Sequence, residues 1–429
     1  MKRMGTPSLA SLNAMALPLA FVSLPLYVLL PHRYTAQFGV SLTALGALLL
    51  AVRALDAVLD PWLGQWCDRW FAAGTPRVRR RSLWLCVGLM LGFAGLWLPD
   101  FWLSQLGWNV TPVSVLVLAA PCLVLAYLAA TALNLSLQSW GTRCGGTVLQ
   151  RSRITAWREG LGLGGVVLAS VLPSVFNASW LVTFFVVLLF AALCLWRYAP
   201  TLGHRATALA DEPSWLSPLS QPAFRALLQV FLLNGIASAV PATLVMFFIQ
   251  DRLQAPAGYE AFYLGAYFAA AALSLPIWLR VVQRMGLAPA WMLGQALSVV
   301  FFMWAVTLSA GDFVSFGFIC ALSGVALGAD LVVPGALLTG VIARNGDAGL
   351  AEGRYLGWWQ VATKLNLALA AGLALSALQF FGYSSGTRSP EGLWALSLAY
   401  GALPCVLKLL AAWRLWAARE HLWEKSHGE

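Results

Sequence analysis

Charge is what this chain lacks. Of its 429 residues, 10% are Asp, Glu, Lys or Arg and 60% are hydrophobic, whereas soluble domains carry about 25% charged residues. No water-soluble fold can hide that much apolar surface, so a soluble globular protein is excluded, and a disordered chain with it. The seven cysteines are scattered without a CxxC pair, which argues against a disulfide scaffold or zinc ribbon and for small apolar filling. Histidine is sparse too: His32, His204, His421 and His427 fall in loops or the tail. No nucleophile elbow, metal-spaced cluster or long nucleotide-binding motif occurs, which disfavours an enzyme. Strand-length alternation is missing as well, so an outer-membrane barrel is not expected.

What the chain has in quantity is long apolar runs, with a mean hydropathy of +0.75. A spanning helix needs about 20 apolar residues, and twelve helices of about 23 would use about 276. Reading the runs against Gly, Pro and polar breakers predicts twelve spans: 9–30, 41–66, 82–104, 112–140, 154–176, 179–198, 223–250, 260–280, 288–310, 312–342, 354–381 and 391–415. The division between the ninth and tenth rests on Ala310-Gly311-Asp312. Ser8 to Leu30 has no small-residue cleavage site and reads as an uncleaved first helix.

Basic residues then orient the bundle. Twenty Lys and Arg fall at the termini and in alternate loops on one side. Three (Arg33, Arg252, Arg388) fall on the other side and four (Arg53, Arg158, Lys364, Lys408) within spans, accounting for all 27. Such a bias places both termini in the cytoplasm. The net charge of +10 is therefore a topology signal. Nucleic-acid binding would need a basic soluble domain, and none is present. Four lysines against 23 arginines hint at a GC-rich bacterial source, so the expected location is a bacterial inner membrane.

Residues 199–222 form the longest polar stretch, between the sixth and seventh spans. The reading is an all-α polytopic membrane protein of two six-helix bundles: 1–198, a cytoplasmic linker 199–222, and 223–429 with its tail. Two repeated bundles rocking around a midplane site is a transporter layout. Glycines and prolines within spans (Gly162, Gly164, Gly165, Pro334, Gly335, Gly357) fit close helix approach and bends.

The informative residues are ionisable groups at membrane depth, each costing about 2.5–3.5 kcal/mol at a helix centre. Spacings of three, four and seven put Arg53, Asp56 and Asp60 on one helix face. Arg158 and Glu159 fall in helix five, Asp330 in helix ten and Lys364 in helix eleven. Lys408, near the end of the last span, is expected to snorkel. Buried ion pairs stabilise little relative to apolar replacements, so stability alone is a poor reason to keep this set. Two acids a turn apart make a place for Na⁺ through carboxylate oxygens, or for H⁺ through a raised pKa.

These residues are similar to those of the glycoside–pentoside–hexuronide:cation symporter family, typified by the melibiose carrier, within the major facilitator superfamily. The segment Arg53-x2-Asp56-Ala57-x2-Asp60-Pro61-x2-Gly64-x3-Asp68-Arg69 resembles the family's helix-two cation motif joined to the superfamily's loop 2–3 signature. Ala351-Glu352-Gly353-Arg354, leading into Lys364, is a second match. The resemblance implies a major facilitator fold in which Asp56 and Asp60 bind the coupling cation and Thr131 lies beside it. It places Arg158 and Lys364 near substrate, and Asp68 and Arg69 in a conformational latch. Arg53 and Glu159 would belong to the surrounding charge network.

The departures carry information. Leu59 stands where the family has a Na⁺-site asparagine, which leaves H⁺ open as the coupling ion. The family's sugar-binding acid of helix one falls near Ala20. That of helix four becomes Asn134, and the aromatic a turn later becomes Gln138. A melibiose-like hexopyranoside is thereby disfavoured. A cavity keeping Arg158 and Lys364 would suit an anionic group, with Asp330 offsetting part of that bias. The expected function is secondary transport of a small polar or anionic solute, a glycoside or hexuronide among them, coupled to H⁺ or Na⁺ by alternating access. No cofactor is expected, and the partners are solute and lipid bilayer, with the monomer as working unit. A lysolipid or amphiphile carrier and a drug-type efflux antiporter are alternatives on the same fold.

Overall fold

The computed structural model describes residues 5–202, 214–256, 258–380, 383 and 389–423. Residues 203–213 of the expected linker, with His204 and Arg205, lie outside them, as do His427, Lys2, Arg3, Arg388 and Lys425. The described chain is helical, in twelve long segments with three short helices (Pro99–Gln105, Ser217–Ser220 and Arg419–Leu422) between or after them. The first, α1, runs over 6–38 with a break at 14–15 and a π turn at Pro25–Leu29. After it come α2 (Leu42–Ala72), α3 (Thr75–Trp97), α4 (Pro112–Cys144), α5 (Val148–Val175) and α6 (Ala178–Tyr198). The remainder are α7 (Pro222–Arg252), α8 (Tyr259–Met285), α9 (Leu287–Thr307), α10 (Phe313–Arg344), α11 (Glu352–Phe380) and α12 (Pro390–Ala417).

Local chemistry sets the starts. Ser41 accepts from the Ala44 amide at 3.2 Å, Asn177 from Trp180 at 3.0 Å and Ser389 from Gly392 at 3.2 Å. Each satisfies an orphan amide of a helix N-terminus. Thr111 and Ser114 form a reciprocal capping box ahead of α4. Pro112, Pro222 and Pro390 occupy first-turn positions where no N–H is needed. Gly286, at φ +84°, makes the abrupt α8–α9 turn that a side chain would strain. The expected break near Ala310-Gly311-Asp312 is present: Gly311 has φ +95°, and Asp312 Oδ2 accepts the Ser309 amide at 2.8 Å.

Several helices outrun their apolar windows. α2 continues to Ala72, α4 to Cys144 and α8 to Met285, while α5 begins at Val148. Arg69, Arg143, Arg151, Arg153 and Arg284, read as loop charges, therefore sit on helices. The reason is physical: hydropathy marks the buried length, whereas a helix satisfies its own backbone wherever it runs. Seven described helices are long and apolar enough to cross a membrane, and an eighth span results if α3 and the short helix Pro99–Gln105, bent by 97°, count together. The other four are α1, which is broken, and α2, α5 and α11, each with three or more charged residues along its length. Large apolar side chains stay exposed, among them Leu50, Val113, Leu273 and Val314, a surface suited to lipid.

The chain divides into two compact units. Unit 1 holds residues 1–146, 157–215 and 346–360; unit 2 holds 147–156, 216–345 and 361–429. In unit 1, Phe93 packs against Phe185 with centroids 4.6 Å apart, and Phe185 stacks on Phe21 at 5.9 Å. α3 meets α4 at Gly92, where a Cβ would stand 2.8 Å from the Cys122 carbonyl oxygen. In unit 2, Phe248, Phe316, Tyr263 and Tyr400 form an aromatic centre, with Phe248 stacked on Tyr400 at 4.2 Å.

Crowding at Gly92 yields a stability test. Gly92→Leu should lower the thermal midpoint of the detergent-purified chain, because overpacking costs about 1–3 kcal/mol. Gly164→Ala, where no atom lies within 4 Å of the added carbon, should leave the midpoint in place. Size-exclusion traces after graded heating would compare them.

Candidate functional site

The helix-two acids are inside unit 1. Asp56 and Asp60 are 2% and 0% exposed, one turn apart on α2. α4 supplies a partner: Thr131 Oγ1 donates to Asp56 Oδ1 at 2.9 Å. At Asp60 and Pro61 the backbone of α2 meets Gly357 of α11, where a Cβ would fall 2.7 Å from the Asp60 carbonyl oxygen. A helix turn further on, Gly64 and Gly353 abut backbone to backbone. The glycines are what let α11 reach α2. Arg53, expected on the same face, is exposed while its two acidic neighbours are buried.

Other expected residues of unit 1 form short-range pairs. Arg158 and Glu159, both half-buried, bond to each other, Nη2 to Oε1 at 2.7 Å and Nε to Oε1 at 3.0 Å. Gln138 Nε2 donates to Asn134 Oδ1 at 3.1 Å along α4. A neutral amide pair thus stands where the resemblance has an acid and an aromatic. Among the described residues no group of three or more His, Cys, Asp or Glu could hold a metal ion. At the helix-two site the Thr131 hydroxyl stands beside the Asp56 carboxylate.

Asp68 has company that the sequence reading did not assign. It is not a solvated loop residue but 5% exposed on α2. Its Oδ1 accepts the Gly353 amide at 2.7 Å and Arg143 Nη2 at 2.8 Å. Its Oδ2 accepts the Arg354 amide at 3.1 Å and Arg354 Nε at 3.4 Å. The carboxylate therefore satisfies two orphan amides at the start of α11, as an anion at a helix N-terminus does. Arg143 also reaches Glu352 at 2.9 Å and the Gly349 carbonyl at 2.7 Å. The basic partners of Asp68 are thus Arg143 and Arg354, whereas Arg69 is exposed. Arg143 looked like one more loop charge in the sequence, and only the fold brings it to Asp68.

Unit 2 holds the larger surprise. Lys408, expected to snorkel, is 5% exposed. Its Nζ donates to Asp330 Oδ2 and to Asn234 Oδ1, the latter at 3.0 Å. Asp330 Oδ1 accepts from Trp291 Nε1 at 2.8 Å and from Asn234 Nδ2 at 3.1 Å. Gln295 Nε2 donates to Asn234 Oδ1 at 3.2 Å. Four helices, α7, α9, α10 and α12, are tied by this network. Asp330 and Lys408 line a hollow of about 100 Å³ walled by Tyr267, Tyr400, Ser298 and Ser323. Asp330, the acid read in helix ten, thus lines this hollow with a lysine bonded to it. Lys364 is half-buried on the portion of α11 in unit 2. Asn234 and Lys408 each interrupt an apolar run, which was the signal available in the sequence.

Helical units that keep charged side chains buried within apolar helices fit a membrane transporter. The chain belongs to the MFS/sugar transport protein family, whose model matches residues 12–418; that family includes the melibiose-carrier-like symporters. It is a multi-pass membrane transporter and not an enzyme. No curated protein matches the chain. Among solved structures, it is similar to a bacterial homologue of the iron transporter ferroportin in an outward-facing state, at 17% identity over 96% of this chain and 98% of that one, with a TM-score of 0.72. It is also similar to a variant of the E. coli fucose:proton symporter, at 13% identity over 94% of this chain and 98% of that one, with a TM-score of 0.65. At such identities the likeness is one of fold.

Asp68→Ala would leave Arg143 and Arg354 without their shared carboxylate. Breaking a buried pair costs about 3–5 kcal/mol, so the thermal midpoint should fall clearly. Arg69→Ala, on an exposed side chain, should move it far less. Differential scanning fluorimetry of both variants beside the parent chain checks this.

Proposed function

We propose that the chain is a cation-coupled secondary transporter, moving a small polar or anionic solute together with H⁺ or Na⁺ by alternating access. The observation that carries the reading is the helix-two pair: two fully buried carboxylates one turn apart, with the Thr131 hydroxyl on the first. Two carboxylates a turn apart on one helix repel each other in an apolar bundle. A bound cation relieves that repulsion, and its departure restores it, which couples occupancy to conformation. Leu59, where the resemblance has an oxygen ligand, favours H⁺ over Na⁺, since a hard cation is held by oxygen ligands.

Arg158, Lys364, Asn134 and Gln138 are the proposed solute contacts. The Arg158–Glu159 pair supplies an exchangeable partner: a carboxylate or hydroxyl on the solute can take the guanidinium from Glu159. Glycosides and hexuronides carry such groups, and the fucose:proton symporter, similar in fold, is by its name a sugar carrier. Asp68, held between Arg143, Arg354 and the first amides of α11, is the proposed latch. The proposed location is a bacterial inner membrane, with both termini cytoplasmic and the monomer as working unit.

Purified protein reconstituted in vesicles tests the reading. A panel of labelled sugars and uronates would be offered with an inward proton gradient, an inward Na⁺ gradient, or neither. A gradient should accelerate accumulation of at least one solute. Asp56→Asn should abolish that acceleration while exchange of the solute down its own gradient persists. Thr131→Ala should weaken the cation dependence by roughly tenfold, about the worth of one hydrogen bond to a charged group. Accumulation indifferent to both gradients would sink the proposal.

A further inference from the structure

The α2–α3 turn of unit 1 displays a surface that neither the helix-two acids nor the solute contacts explain. α3 opens with Thr75-Pro76-Arg77-Val78-Arg79-Arg80-Arg81-Ser82. Thr75, Val78 and Ser82 are buried, whereas Arg77, Arg80 and Arg81 are exposed. Spacings of three and four gather those three arginines on one face of the helix. Arg79 turns the other way: its Nη2 donates to the Ala199 carbonyl at 3.1 Å, and its guanidinium lies 5.8 Å from the Trp140 ring centroid. One of the four arginines is built into the bundle, and three are presented outward.

Helix stability gives no reason for that arrangement. Arg77 lies in the first turn of α3, where no acid is present, and a cation there opposes the helix dipole. Like charges three and four residues apart repel as well. The acids of α2 and α3 are Asp56, Asp60 and Asp68, all buried, so this face has no carboxylate of its own. Aromatic rings frame the arginines instead. On α2, Trp66 is 52% exposed and Trp70, one turn on, is half-buried; on α3, Trp84 is 66% exposed, one turn beyond Arg80. The Arg81 guanidinium sits over the Trp70 ring, 5.6 Å from its centroid, and a guanidinium stacked in this way keeps its N–H fork for an acceptor. Arg77 and Trp84 are seven residues apart on one face, about 10 Å along the axis. That is the layering of a membrane interface, with basic groups at the phosphates and tryptophans at the apolar boundary.

We propose that this surface binds an anionic phospholipid, its phosphate forked by Arg77, Arg80 and Arg81 and its glycerol and upper acyl chains against Trp66 and Trp84. Arginine suits the task better than lysine, because its planar fork meets two phosphate oxygens at once. A lipid fits better than a dissolved phosphate, because only a lipid also covers the exposed indoles. Net charge selects among lipids: an anionic headgroup neutralises the crowded guanidinium groups, whereas a zwitterionic one brings its own ammonium to them. The site is a surface of unit 1 and stands apart from the cation-coupling reading, since it is defined by lipid binding and not by flux.

Native mass spectrometry of the detergent-purified full chain, titrated with phosphatidylglycerol or phosphatidylcholine of matched acyl chains, tests this. Phosphatidylglycerol should bind at lower concentration than phosphatidylcholine, and inorganic phosphate should not displace it. Arg77→Gln/Arg80→Gln/Arg81→Gln should weaken the phosphatidylglycerol affinity on the order of a hundredfold, the combined worth of three basic residues near an anionic surface. Trp70→Leu, which releases Arg81, should weaken it less. Arg280→Gln/Arg284→Gln, on exposed arginines of α8, should leave it in place. An equal loss in that pair would mean diffuse attraction to any basic surface and would overturn the proposal. Equal binding of the two lipids by the parent chain, displacement by inorganic phosphate, or undiminished binding by the triple variant would overturn it too. If the triple variant fails to fold, Arg80→Gln at its exposed position repeats the comparison, with a loss of roughly fivefold expected.

Discussion

A charge inside a lipid-facing helix bundle must find a partner, because neither lipid nor the apolar side chains can solvate it. That constraint organises the polar interior of this protein. Asp56 takes a hydroxyl from α4; Asp68 takes two guanidinium groups and two backbone amides; Asp330 takes an ammonium, an indole N–H and an amide N–H. Each carboxylate thereby joins at least two helices. An exposed pair is worth about 0–1 kcal/mol, whereas removing one member of a buried pair costs about 3–5 kcal/mol. The acids thus fix which helix faces meet more firmly than the apolar contacts around them, which tolerate repacking.

The same groups make the interior responsive. Polar contacts that depend on charge weaken when a proton or cation binds, and helices joined only through them can then part. Backbone chemistry helps at the same places. Gly64, Gly353 and Gly357 let α2 and the start of α11 touch without intervening side chains, so small displacements there are not blocked by interdigitation. Prolines beside Asp330 and Lys408 remove helical hydrogen bonds where the ion pair sits. Transport needs two arrangements of similar energy, and helices pinned by titratable groups next to flexible points are one physical way to obtain them.

Which parts were legible in the sequence follows from what each signal measures. Apolar length reports burial in lipid, so the twelve long helices could be located, yet helix ends such as Ala72 and Cys144 could not, since backbone hydrogen bonding does not stop where hydropathy does. Spacing reports faces of a single helix, so Asp56 and Asp60 were legible as a pair. It says nothing of the neighbour, and Thr131 came only through resemblance. Arg143 and Lys408 were misjudged for a common reason. A basic residue near the end of an apolar run has two inexpensive fates, reaching for the headgroups or turning inward to an acid. The sequence around it is the same in both cases.

By itself, the sequence determined the class of molecule: scarce charge, long apolar runs and alternating basic loops leave no other solvent than a membrane, and those properties are sums over residues that need no contact to be known. The tertiary structure decided the partners. Asp68 found Arg143 and the first amides of α11 instead of its neighbour Arg69, and Asp330 found Lys408 from a helix 78 positions away in the chain. Pairing energy depends on distance and burial, both of which come into being only when helices pack.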